Sequence, residues 1–117
     1  MKILLAFAVL IPFAASAANL DCSIKASKTT KMADMQAMAK ISAADAKKAA
    51  LEAVKVTGVT IIKGDLEVED GCLLYSYDVK VPGKSGAEEV YVDAGNGKVL
   101  RSVHESAAKE AMEKGKK

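Results

Sequence analysis

The sequence contains no tryptophan, a single histidine, two cysteines and two prolines. Both phenylalanines, Phe7 and Phe13, fall within the first 17 residues, which leaves Tyr75, Tyr77 and Tyr91 as the aromatics of the remaining chain. A structural zinc site needs four Cys or His ligands, and His104, Cys22 and Cys72 do not supply them. One histidine with no nucleophile-elbow motif gives no hydrolytic triad. Neither sign of charge dominates: 17 Lys and Arg stand against 15 Asp and Glu, a net charge of +2, which disfavours nucleic acid as the main partner. With 117 residues, half of them apolar, the chain is long enough for one domain and apolar enough to bury a core.

Long hydrophobic runs are lacking beyond the N-terminus. Met1-Lys2 opens the chain with a positive charge, Ile3 to Phe13 is apolar, and Ala15-Ser16-Ala17 supplies the small residues that a signal peptidase requires. This anatomy predicts a signal peptide over residues 1–17, cleaved before Ala18. The run is about half of the roughly 20 residues that span a bilayer. The product is therefore expected to be periplasmic or secreted, with no membrane attachment after cleavage. A lipid-carrying role for Cys22 is disfavoured because Asp21, not a small residue, precedes it. In an oxidising compartment a cysteine pair is commonly bridged. Cys22 and Cys72 allow one intramolecular disulfide; two unpaired thiols or an interchain bridge are the other arrangements.

All eight glycines lie at or after Gly58, and Pro82 is the one proline beyond residue 12. Residues 18–57 are rich in Ala, whereas residues 58–103 alternate Val, Ile, Leu and Tyr with turn residues. Helix is expected first and a sheet after it. Residues 18–39 read as a leader with a short Met-rich helix. Ser42 is a good N-cap with Asp45 three residues on, Ala43, Ala46, Ala50, Ala53 and Val54 share one helical face, and Gly58 is placed at C′. Val59–Ile62 and Leu66–Val68 read as one broken strand with a bulge or kink at Gly64. Asp70-Gly71 is a two-residue hairpin turn. In the strand Cys72–Val81 the residues Leu73, Tyr75, Tyr77, Val79 and Val81 face the helix, with Val90 and Val92 beside them. Ser76, Asp78 and Lys80 share the other face, where Leu74 is expected to be wet. Strands at Glu89–Asp93 and Lys98–Val103 complete an antiparallel meander, and residues 104–117 read as a C-terminal helical tail. The fold class is α+β: a helix packed on a four-stranded antiparallel meander sheet, with a short C-terminal helix.

Groups that carry chemistry are sparse. Gly83-Lys84-Ser85 lacks the upstream glycine of a phosphate-binding loop and joins two strands. Glu67, Glu69 and Asp70, then Glu88, Glu89 and Asp93, are read as solvated charge on turns and strand faces. Met32, Met35 and Met38 recur every third residue. This spacing gives a helix an apolar stripe, and the same thioethers are soft ligands suited to Cu(I). No catalytic, cofactor or metal residue is assigned.

Residues 40–103 resemble a PepSY domain. The match rests on Ile41-Ser42-x-x-Asp45-Ala46 with Ala50-Leu51, Gly58, Glu69-Asp70-Gly71 and Leu74-Tyr75-Ser76-Tyr77-Asp78-Val79. It continues through Glu89-Val90-Tyr91-Val92-Asp93 and Gly97-Lys98-Val99-Leu100. The resemblance implies a helix on an antiparallel sheet similar to half of a cystatin-like fold. It also implies inhibition or regulation of peptidases outside the cytoplasm, with no catalytic residues of its own. No protease follows the domain in this sequence, so inhibition in cis is not expected, and the resemblance by itself does not establish a role in trans. The expected function is a non-catalytic exported binding module modulating a secreted or periplasmic peptidase. Copper handling by the Met cluster, or a structural or stress role in the envelope, are the alternatives.

Overall fold

The computed structural model describes residues 20–107. The signal peptide expected over residues 1–17 and most of the expected C-terminal helix lie outside them. Helix α1 spans Met32–Met38 and helix α2 spans Ala43–Ala53. Strands β1 (Thr60–Glu69), β2 (Cys72–Lys80), β3 (Ala87–Asp93) and β4 (Val99–Glu105) follow. They pair antiparallel in the order β1-β2-β3-β4, so the expected α+β meander stands.

Helix α2 begins as its sequence dictates. The Ser42 hydroxyl accepts from the Asp45 N–H at 3.1 Å, satisfying one of the donors that a helix start leaves open. Ala46 and Ala50 are fully buried against the sheet, and side chains this small bring helix and sheet close together. The helix ends at Ala53, earlier than expected. Val54 turns extended and buries its side chain in the core, and Gly58 spends its positive φ of 84° on the turn into β1 instead of on a helix cap.

The core lies between α2 and the sheet. Leu73, Tyr75, Tyr77, Val79 and Val81 meet Val68, Val90, Val92 and Ala94 there, so the expected register of the central strand holds. The Asp70-Gly71 turn fixes that register, with φ of 49° and 76° at its two residues. Two tyrosine hydroxyls tie the start of α2 down: Tyr75 Oη donates to the Ile41 carbonyl at 3.0 Å and Tyr77 Oη to that of Ala43 at 2.9 Å.

Strand β1 departs from expectation. It is continuous, and its register shifts at Ile62 between Ile61 and Lys63, whereas Gly64 pairs regularly with Tyr77. Gly64 is required for a different reason: a Cβ there would lie 2.5 Å from Tyr77 Cε1. The ring cannot retreat without losing its bond to Ala43. Gly64→Ala should therefore destabilise the protein by about 2 kcal/mol, as overpacked sites do. Urea melts of the two proteins check this, and an unchanged midpoint would show that the ring yields freely.

The leader is ordered from Leu20 and covers part of the sheet's second face. The Leu73 N–H donates to the Ile24 carbonyl, and the Ala26 N–H to that of Gly71. Leu20 and Cys22 bury Leu74, Cys72 and Tyr91 in a second small core. Leu74 is fully buried, so the expectation of a wet Leu74 is corrected: the leader supplies the cover.

Candidate binding surface

Cys22 and Cys72 form a disulfide with a Cα–Cα distance of 5.9 Å, which leaves no thiol on Cys22 for a lipid. Beside it, Asp93 anchors the leader. Its carboxylate accepts from Ser23 N–H (2.7 Å), Ser23 Oγ (2.6 Å), Gly95 N–H (2.7 Å) and Asn96 N–H (3.3 Å). Burial pushes this carboxyl up, but the donors outweigh it and hold it below the usual aspartate range. Its stabilising effect is present above the unfolded pKa and is lost as pH falls through the lowered folded value.

The three methionines of the expected stripe divide. Met35 is buried in the core, Met38 packs against that core, and Met32 is exposed. Two of the three are thus engaged in packing. His104 Nδ1 lies 2.7 Å from Glu88 Oε1 at the sheet margin. The Gly83-Lys84-Ser85 loop is a β2–β3 connection in which the Lys84 and Gly86 carbonyls accept from Lys80 Nζ.

The carboxylate groups that the sequence lists as neighbours are redistributed by the pleat. Glu88 goes to His104 and Asp93 to Ser23. On the face opposite α2, Glu67 and Glu69 join Asp65, Asp78, Glu89 and Glu105 around a concavity of about 430 Å³. Lys63 and Arg101 are the cations lining it, and the Arg101 guanidinium lies 5.6 Å from the centre of the Tyr91 ring. Carboxylate oxygens of Asp78, Glu89 and Glu105 lie within 4.8 Å of one another. Pleat alternation along β1, before the Asp70-Gly71 turn, places Asp65, Glu67 and Glu69 together. Glu105 was missed because the last strand was expected to stop at Val103.

Burial, and after it the like charge of Glu69, Asp65 and Glu89, pushes the Glu67 carboxyl up to about 7 against a bond with Ser76. Between the ordinary glutamate value and 7 the folded state holds more protons than the unfolded chain, so ionising Glu67 lowers stability as pH rises. Glu67→Gln should stabilise the protein by about 1 kcal/mol at pH 8, after screening by solvent, and by nearly nothing at pH 4. Urea melts at the two pH values check it, and a difference independent of pH would contradict it.

Strand β1 is the outermost strand beside this face. Among the described residues, no backbone hydrogen bond reaches its outer side. On the helix side a groove of about 660 Å³ runs along it, walled by Met32, Ile41, Leu66, Tyr75 and Tyr77, with Gly64 in its lining. A second concavity of about 430 Å³ shares Met32, Asp65 and Leu66 and continues along β1 to Glu69. An unpaired strand edge beside an apolar groove can accept an extended polypeptide, because backbone amides satisfy the edge and alternate side chains enter the groove.

Among the described residues, no helix is long and apolar enough to cross a membrane. The family model described as "Peptidase propeptide and YPEB domain" (PepSY) matches residues 40–103, which hold α2, β1, β2, β3 and most of β4. No curated protein and no solved structure matches the chain significantly.

Proposed function

The chain belongs to the PepSY family, and from that premise we propose that it is a non-catalytic, exported binding module that restrains a peptidase. The observation that carries this reading is the family match itself, whose description is that of a peptidase propeptide domain. The unpaired β1 edge beside its groove supports it, because peptidases bind polypeptide in extended form and an edge strand offers the same backbone pattern. Export rests on the N-terminal pattern of charge, apolar run and small residues. The burial of Met35 gives the copper alternative no support.

The test is incubation of the oxidised protein with secreted metallopeptidases and serine peptidases from its own source. Peptide hydrolysis and integrity of the protein are followed together. Slowed hydrolysis at micromolar concentration, with the protein intact, is expected. Unaffected hydrolysis across the set, or digestion of the protein as an ordinary substrate, would overturn the reading.

A further inference from the structure

The side chains of β1 fall on two unlike surfaces. Gly64, Leu66 and Val68 face the helix side, where the groove wall is Met32, Ile41, Leu66, Tyr75 and Tyr77. Lys63, Asp65, Glu67 and Glu69 face the other side, where Glu89 and Asp78 extend the negative field. Lys63 Nζ, 3.9 Å from Asp65, is the cation on β1 itself, and Arg101 and Lys28 act on Glu69 from other segments. Around this face the carboxylates of Asp65, Glu67, Glu69, Asp78, Glu89 and Glu105 outnumber Lys63 and Arg101 and leave it acidic, while Lys28 and Lys47 stand on the groove side.

We infer that β1 is a docking edge for an extended segment of a partner protein in which apolar and basic residues alternate. The segment adds to the sheet as a fifth strand. Its apolar side chains enter the groove beneath α1 and α2, and its lysines or arginines lie over Asp65, Glu67 and Glu69. The period of two is imposed by the pleat: a strand placed beside β1 presents successive side chains to the same two surfaces. The assignment rests on the reading of the chain as a binding module and names the chemistry of what it binds. A second copy of this chain is a poorer occupant. In-register pairing would set Asp65, Glu67 and Glu69 against their own counterparts, and like charges directly opposed are destabilising. The register shift at Ile62 also limits the regular edge to residues 63–69.

The experiment titrates the oxidised full chain with a blocked seven-residue peptide carrying lysine at odd positions and valine or phenylalanine at even ones. A second peptide replaces the lysines with glutamates, and a third keeps the lysines but carries backbone N-methyl groups on alternate residues. The lysine peptide should bind at least tenfold more tightly than either, with amide shift changes centred on residues 63–69. The double variant Glu67→Lys/Glu69→Lys should reverse the preference between lysine and glutamate peptides. Equal binding of the N-methylated peptide would reduce the effect to loose ionic attraction and overturn the inference. So would absence of binding, shifts centred on β4, or self-association of the protein through β1. Peptidase inhibition measured alongside separates the two readings. Inhibition without peptide binding removes this inference and leaves the proposed function standing; peptide binding without inhibition does the reverse.

Discussion

Reduction of the Cys22–Cys72 disulfide should lower the unfolding free energy by about 4 kcal/mol. The bridge closes a loop of 50 residues, and the chain-entropy relation gives roughly that value for such a loop. The figure would shrink if the leader were loose in the native state, but here it is held independently. Ser23 donates twice to Asp93, Ile24 and Ala26 bond the β1–β2 hairpin end, and Leu20 packs in the small core over Leu74 and Tyr91. The bridge therefore acts mainly on the unfolded chain. Urea melts with and without reductant give the number, and intact-mass analysis confirms the redox state. An unchanged midpoint on full reduction would contradict this account. A partial loss, with the amide signals of residues 20–26 collapsing to random-coil positions while α2 and the sheet persist, would show that the leader detaches as a unit.

Tyr77→Ala should cost about 3–5 kcal/mol, the range of large aromatic truncations in cores. The ring is 5% exposed, lies parallel to that of Tyr75 at 6.3 Å between centroids, and fills the space that Gly64 leaves open. Its hydroxyl, pushed up to about 12 by burial and then by Tyr75, stays neutral and donates to Ala43. Tyr77→Phe removes only that bond and should cost about 1 kcal/mol. Ser76→Ala, one position along and on the opposite face, should cost less than either. Urea melts of the three variants check the order. A larger effect for Ser76→Ala than for Tyr77→Ala would place the strand one residue out of register and exchange its faces.

Strictly local signals were legible in the sequence. Ser42 and Asp45 mark the start of α2 because capping involves neighbours in the chain. Asp70-Gly71 marks the hairpin because few residue pairs adopt two positive φ values. With that turn fixed, alternation sorts Tyr75 and Tyr77 from Ser76 and Asp78 without knowledge of any partner. Features that depend on distant segments were not legible. Gly64 reads as a kink in isolation, and its reason is the Tyr77 ring across the sheet. Leu74 reads as wet because its cover, Leu20 and Cys22, comes from a leader with no periodic signal. The end of α2 was misplaced because Gly58 is a credible cap, while burial of Val54 pulls the chain out of the helix sooner. The acidic face was not legible as a unit: the sequence groups Glu67 and Glu69 with Asp70, which lies in the turn, whereas Asp65, Asp78 and Glu89 join them through the pleat and strand pairing and Glu105 through a strand longer than expected.

These elements place the binding surface at one margin of the sheet. Disulfide, leader and Asp93 secure the end of the sheet near the β1–β2 hairpin, α2 covers one face, and β1 is left as an edge flanked by a groove and an acidic strip. The most direct measurement is backbone amide hydrogen exchange of the protein, alone and with a peptidase that it slows. The account predicts added protection of the β1 amides of residues 63–69 and of the α2 start around residues 43–45, with β4 unchanged. Protection confined to β4 or to the β2–β3 loop, with β1 exchanging as in the isolated protein, would contradict it.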